Sequence, residues 1–553
     1  MEFADDFSQY YKSLLEGQYN CVDRIVLNGY FPLGQQGGGF RHWWKQLTGS
    51  DETLTQDHLQ RMAGRFSRRV HGFAKKKNIP IIHCKTGERK HLLVPQYQPA
   101  DQNFKGLFLI LVAKAPALVW EAKRNMKGAL NLERKAPWPY VNHYHFHIID
   151  PDWGHITIKM SGHPPFGIQI ILNGHEWVER QARKQTVSQI LKEGNCFVGG
   201  SDFQALNQIA DALCDHHAIG RLNEVCDRWV YSCCLCFGLD TQEQEKFGFR
   251  YRYSCYQLEY SRNLLFVRGR MLDAVYQGLI DRTRRTLNVD RLKTIFGRKA
   301  RPAHREKPGK KPPRFECVID ESAYDLTVFK VHFGRLTLKV YDKGARVLRV
   351  EAVAHNVKDL RCGKILEKLS IMLEKLQRMA IDFLNVLKAA HISYLNEKTL
   401  DNLHQPTQRG SSRLAGINLQ NPRMRNVCEA LLHLAPKPGG FTCAELTEQV
   451  QKSKKGCIQN YNQRQASYDL RKLRGKGIVE PIPKTRKYRC STFGIETISA
   501  LIILREKIIR PILAGLVDKK VGRPPKNMQP IDKHYINLRN EMRLAFETLG
   551  IAA

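Results

Sequence analysis

Acidic residues are in short supply in this chain. Only 53 Asp and Glu stand against 88 Lys and Arg, a formal charge of +35 over 553 residues. Self-repulsion on that scale disfavours a compact chain, and a polyanionic partner is the economical way to relieve it. Long apolar runs are missing as well. No stretch of about 18 apolar residues occurs, which argues against a membrane partner or span. The opening Met1-Glu2-Phe3-Ala4-Asp5-Asp6 lacks the basic, apolar and small-residue order of a secretory signal. Regular cysteine spacing is absent too: 15 cysteines, an odd number, fit reduced thiols in a cytoplasmic setting better than a disulfide framework. The glycine-rich run Gly34-Gln35-Gln36-Gly37-Gly38-Gly39 lacks both Gly-Lys-Ser/Thr and the Rossmann spacing. Nucleotide binding is therefore not expected there.

What is present is enough for folded domains, with 42% hydrophobic and 25% charged residues. The expected class is a multidomain α+β or mixed α/β chain. Residues 1–136 read as an α/β domain of unassigned role. Cys21 to Leu27 is strand-like, Leu59 to Lys76 carries Met62, Phe66, Val70 and Phe73 at helical spacing, and short apolar runs at 79–82 and 107–112 suggest buried strands of a partly parallel sheet. Phe40-Arg41-His42-Trp43-Trp44 is either a packed core edge or a base-stacking surface.

Residues 137–297 form a second α+β unit. His143-Tyr144-His145-Phe146-His147-Ile148-Ile149-Asp150 alternates strictly, so a strand there puts His143, His145 and His147 on one face. Such histidines are either polar residues of a half-exposed strand or ligands converging on a divalent metal. Pro151 to Gly154 is a turn signal, and 155–160 alternates again, predicting a hairpin. His145-Phe146-His147 resembles the His-hydrophobic-His motif of rolling-circle replication initiators and relaxases. The resemblance implies metal-binding histidines and a tyrosine nucleophile; Tyr253, Tyr256 and Tyr260 are the tyrosines available, and Tyr256 and Tyr260 stand one helical turn apart. Cys226, Cys233, Cys234 and Cys236 lie in an apolar helical stretch without a second Cys-x-x-Cys pair, and read as small buried side chains rather than zinc ligands.

Residues 298–314 are a basic, proline-punctuated linker able to follow a phosphate backbone. In the next unit, 315–400, a hairpin puts Lys339 and Tyr341 on one face and Arg349 and Glu351 likewise, followed by a long amphipathic helix over 364–395. Lys-x-Tyr-Asp-Lys followed by Arg-x-Glu resembles a segment of phage and plasmid replication proteins that forms central strands near a DNA-nicking site. The plainer expectation is an Arg349–Glu351 pair tying strands on a solvated face.

Residues 420–500 carry a helix over 424–434, then Thr442 and Glu445 as a capping box for a second helix. A third helix over 460–474 and a basic-tipped hairpin follow. This order, with Tyr468-Asp469-Leu470-Arg471-Lys472-Leu473-Arg474-Gly475-Lys476-Gly477, resembles the winged helix-turn-helix domain of bacterial transcription regulators and replication initiators. The resemblance implies major-groove contacts from Asn462, Arg464, Gln465, Tyr468 and Arg471, and wing contacts from Arg486 and Lys487. In the last segment, 501–553, Lys519 to Lys526 holds Gly522, Arg523 and Pro524 between Lys520 and Lys526. It resembles the AT-hook, a minor-groove motif of chromatin-associated proteins, with Val521 where that motif has arginine. A terminal helix over 535–549 is expected to pack or to join a homodimer.

The leading expectation is a double-stranded-DNA-binding protein without catalysis in its binding unit, a regulator or mobile-element-associated protein of the cytoplasm or nucleoid. Two alternatives stay open. One is a DNA-nicking replication initiator or strand-transferase using His145, His147, a divalent metal and Tyr256 or Tyr260, on double- or single-stranded DNA. The other is a structured-RNA-binding protein.

Overall fold

The computed structural model describes residues 5–505, apart from 50–52, 86, 102, 125, 127–129, 188–189, 201, 247–249, 284–314, 323, 344, 393–396, 410–411, 419 and 453–459, together with Asn537, Asn540, Glu541 and Leu544. The basic linker and the Gly522-Arg523-Pro524 ribbon, with Lys520 and Lys526, lie outside these residues. Of the terminal helix only those last four positions are described, all helical.

A mixed α/β body is built on one sheet of 11 strands. Its centre is an antiparallel pair of long strands, β1 (Leu15–Tyr30) and β7 (Arg252–Phe266), matched from Leu15 opposite Phe266 to Tyr30 opposite Arg252. Beside β1 come β6 (Ile168–Asn173), β5 (Gly154–Ser161), β4 (Tyr140–Asp150), β3 (Gly106–Pro116) and β2 (Ile81–His83). Beside β7 come β11 (Val347–Ala354), β10 (Leu336–Lys343), β9 (Tyr324–Phe333) and β8 (Phe315–Ser322). Each half follows one plan: a long central strand, a meander that folds from the outside inward, then a helix. The helices are α2 (Gly174–Lys184) after β6 and α3 (Leu369–Ile392) after β11. The expected parallel character is confined to the β2–β3 pair at one edge.

The unit boundaries drawn from composition at 136 and 298 therefore do not divide the sheet. Strands from all three amino-terminal units share it, and one buried cluster runs from Phe7 to Leu387. The reason is β1, whose neighbours β6 and β7 come from far along the chain. Helix α1 (Gln56–Lys77) buries Leu59, Met62, Phe66, Val70 and Ala74, the stripe its spacing predicts, and is capped by Thr55. Phe40, Trp43 and Trp44 are buried, so they serve the core and not base stacking.

Residues 421–503 have a separate core. Helix α4 (Pro422–Leu434) leads to a short strand β12 (Phe441–Thr442), then α5 (Cys443–Gln451) and α6 (Gln463–Gly475). A hairpin of β13 (Val479–Pro481) and β14 (Lys487–Cys490) follows, with β14 between β12 and β13 in a three-stranded sheet, and α7 (Thr492–Ile503) closes the unit. The predicted capping box is present: Thr442 Oγ1 accepts from Glu445 N (3.2 Å) and Glu445 Oε2 accepts from Thr442 N (2.9 Å). The unit leans on the body through α7 against α3, where Lys388 Nζ meets Glu496 at 2.9 Å.

Candidate functional site

Two features of the molecule concentrate chemistry: a buried polar lattice at the middle of the large sheet, and an exposed basic surface on the carboxyl-terminal unit. The lattice follows from strand register. Across β1, β7, β11 and β10, one row runs Cys21, Ser261, Glu351, Lys339, and the next runs Tyr19, Asn263, Arg349, Tyr341. Asp23 joins them as the extra residue of a β-bulge in β1, between the pairs Val22–Tyr260 and Arg24–Glu259. A bulge re-aims a side chain, and here Asp23 Oδ1 accepts a hydrogen bond from Ser261 Oγ at 2.7 Å. Its other oxygen, Oδ2, receives the Arg349 guanidinium. Glu351 accepts from Tyr341 Oη at 2.9 Å and lies 3.4 Å from Lys339 Nζ.

Arg349 is thus buried and paired with Asp23, which overturns the expected Arg349–Glu351 pair on a solvated face. The face is a core face, because a segment far away in sequence covers it: the Asn195 carbonyl accepts from Arg349 Nη1 at 2.6 Å and from Lys343 Nζ at 3.2 Å. Electrostatics follow from that burial. Desolvation pushes the Asp23 carboxyl up to about 6 against the pull of Arg349. Burial also raises Glu259, helped by the Glu351 charge. Glu351 meets the same desolvation, but Lys339, Arg349 and Tyr341 outweigh it and leave the carboxyl below its ordinary value. Buried charges persist only when paired, and here Asp23 is paired with Arg349 and Glu351 with Lys339. Lys339, Tyr341 and Lys343 are half-buried and connect it to the surface.

The Asn173-Gly174-His175 start of α2 abuts the lattice. Asn173 caps the helix by accepting from His175 N at 2.9 Å, and His175 Nδ1 lies 3.2 Å from Asp23 Oδ1. Among the described residues, Cys21, Asp23 and His175 are the group whose donor atoms could meet on one metal ion.

The histidine strand is positioned as predicted, with Tyr144, Phe146 and Ile148 in the main core and the histidines away from it. The three imidazoles are not brought together as a metal donor set among the described residues. His147 Nδ1 instead meets His155 Nε2 at 3.1 Å and Thr157 Oγ1 at 3.2 Å. Burial lowers all three, His143 to about 4 and His145 and His147 to about 3, so they are neutral near pH 7. Tyr256 and Tyr260 lie on strand β7, not on a helix; Tyr256 is the half-buried extra residue of a bulge against β1, and Tyr260 is buried. From β7 to β4 the order passes through β1, β6 and β5, four steps of roughly 4.8 Å, or about 19 Å. The sequence-predicted constellation of His145, His147 and Tyr256 or Tyr260 is not assembled. Cys226, Cys233, Cys234 and Cys236 follow a helical stretch, as expected, and form no donor set among the described residues.

On the carboxyl-terminal unit, Ala466, Leu470 and Leu473 of α6 face the core, while Arg464, Tyr468 and Arg471 are exposed. Lys472 Nζ sits 4.7 Å from the centre of the Tyr468 ring. Asn462 and Gln465 start the helix: Asn462 Oδ1 accepts from Gln465 N at 3.0 Å and Gln465 Oε1 from Asn462 N at 3.2 Å. Their amides are therefore engaged at the cap. Arg486 is exposed at the hairpin tip, and Lys487 beside it is half-buried. Sequence reasoning missed Asp469, which is fully buried and fixes the helix: Tyr461 Oη and Arg423 Nη2 both reach its carboxylate at 3.1 Å. Its place one step from Leu470 on the buried stripe was the available signal.

No helix among the described residues is long and apolar enough to cross a membrane. Comparison of the chain with protein-family models, with curated proteins and with solved structures finds no match in any of the three.

Proposed function

We propose that the chain is a double-stranded-DNA-binding protein whose 421–503 unit acts as a winged helix. Helix α6 would enter the major groove, and the β13–β14 hairpin would reach the adjoining minor groove or backbone. The observation that carries this reading is the outer face of α6. Arg464, Tyr468 and Arg471 are exposed together there, on a helix whose other face is locked by Asp469 and whose neighbouring hairpin ends in Arg486. Arginine is the side chain best suited to bidentate contact with guanine edges, and each such contact discriminates by about 1–3 kcal/mol. The net charge of +35 supplies the sequence-independent part through counterion release. The Gly522-Arg523-Pro524 ribbon would add a contact in an A·T minor groove. A regulator or a protein of a mobile element fits these parts.

The test is a binding titration of the full chain against duplex DNA of mixed sequence between about 50 and 200 mM salt. Binding that weakens steeply with salt is expected. Arg471→Ala should flatten the preference among sequences while leaving most of the salt dependence intact. Tighter binding to structured RNA than to any duplex, or no salt-dependent binding at all, would discard the reading.

A further inference from the structure

We propose that Cys21, Asp23 and His175 form a buried binding site for a zinc-class transition metal, at the joint between β1, β7 and the start of α2. Three separate features of the backbone bring these residues together. The β-bulge in β1 turns Asp23 toward its neighbours. Gly174 lets the first turn of α2 rest on β1, since a Cβ at that position would lie 1.8 Å from the carbonyl oxygen of Val22. Asn173 caps the helix and fixes where His175 begins.

The result is an imidazole with no exposed surface and no hydrogen-bond partner on either ring nitrogen. Its Nδ1 faces Asp23 Oδ1 at 3.2 Å without hydrogen-bond geometry. An unpartnered buried polar group costs about 1–3 kcal/mol, and a metal ion bound at Nδ1 would remove that cost there.

The donor atoms of the three residues lie within 4.8 Å of one another. Around tetrahedral zinc, with bonds of about 2.0–2.3 Å, neighbouring donors stand roughly 3.3–3.8 Å apart. The His175–Asp23 pair is already at that spacing, and small shifts would bring the thiolate in. A thiolate, an imidazole and a carboxylate together select zinc, cobalt or a similar ion over magnesium or calcium. Arg349 already pairs with Asp23, so the Cys21 thiolate supplies the further anionic charge that faces the metal. Arg349 occupies Oδ2 of Asp23 and Ser261 donates to Oδ1, which orients the carboxylate as ligand-supporting residues do. Three protein donors leave a fourth tetrahedral position for a water or another oxygen ligand.

The experiment uses the full chain, stripped with a chelator and reloaded with zinc or cobalt(II). About one zinc per chain is expected to survive gel filtration, and zinc should raise the melting temperature. The cobalt-loaded chain should show a thiolate-to-metal charge-transfer band in the near ultraviolet. Cys21→Ser should abolish that band and His175→Gln should release the metal, whereas Cys226→Ser, at a buried cysteine elsewhere, should change neither. Ser261→Ala should weaken binding roughly 10-fold or more. If the site variants fail to fold, the wild-type cobalt spectrum decides. A folded wild-type chain that takes up no zinc, or one whose cobalt form lacks the thiolate band, overturns the proposal. So does a folded Cys21→Ser chain with an unchanged band.

Discussion

The sheet body and the carboxyl-terminal unit are stabilised by contacts of opposite range. In the 421–503 unit the decisive bonds are of short range: Thr442 with Glu445, Asn462 with Gln465, Tyr461 with Asp469 and, across 46 residues, Arg423 with Asp469. At the sheet centre they are remote, with Asp23 bonded to Ser261 and Arg349 across more than two hundred residues of chain. Local contacts can be read from spacing, and remote ones cannot. The same contrast separates their chemistry. The small unit presents Arg464, Arg471 and Arg486 outward, as a surface for a polyanion, whereas the sheet centre holds Asp23, Arg349 and Glu351 inward, in a paired lattice.

Acid should affect the body more than the small unit, and this is the largest effect expected. His143, His145 and His147 are held neutral by burial, with Lys90, Lys159 and His155 facing them as further deterrents to protonation. The unfolded chain takes up these protons near pH 6.5, and the folded chain only near pH 3–4. A base whose folded value is depressed favours unfolding as pH falls below the unfolded value, so the stability is intact above about 6.5 and is lost progressively down to about 3. Each histidine should remove roughly 1–2 kcal/mol by pH 5. Urea unfolding at pH 7 and pH 5 checks this, and His145→Gln should shrink the difference. An unchanged difference would mean that His145 is already solvated.

Gly174→Ala comes next. A methyl group placed against the Val22 carbonyl forces α2 off β1, a clash expected to cost about 3 kcal/mol. Urea unfolding should show the body melting early while the small unit keeps its own transition. A single unshifted transition would show that the helix start can slide.

These sites also mark how far the sequence could be read. The histidine strand, its hairpin, α1 and the capping box of α5 came from alternation, from spacings of three and four, and from a Thr-x-x-Glu pattern, all properties of a few neighbouring residues. The shared faces of Lys339 with Tyr341 and of Arg349 with Glu351 were legible for the same reason. What those faces meet was not, since Asn195 over Arg349 and Asp23 and Ser261 beside it come from far along the chain. Strand β7 hid for a different reason: its alternation of Tyr253, Cys255, Leu258 and Tyr260 with polar residues is broken at Tyr256 by a bulge, and the Tyr256–Tyr260 spacing imitates a helical turn. The doubled strand plan of the body left no repeat in the residues. Asn462 and Gln465 fit both roles, because the pattern that starts a helix and the pattern that meets DNA use the same amides.

In the small unit, Asp469→Ala should cost about 2 kcal/mol by leaving Arg423 and Tyr461 without their partner. The transition of the body should stay in place. Loss confined to the small unit would sharpen the division between the two cores, and a joint loss would show that α7 against α3 couples them.

The smallest effect separates two roles of one side chain. Asn462→Ala removes the cap of α6 and should lower stability by about 1 kcal/mol. Asn462→Ser keeps a capping oxygen while shortening the side chain, so it should restore most of that stability. If Asn462 acts only at the cap, DNA affinity will follow stability through both variants and the sequence preference will not move. If the serine variant folds normally yet prefers a different base, Asn462 reads the groove after all. The outward face of α6 would then extend one turn further than Arg464, Tyr468 and Arg471 define it.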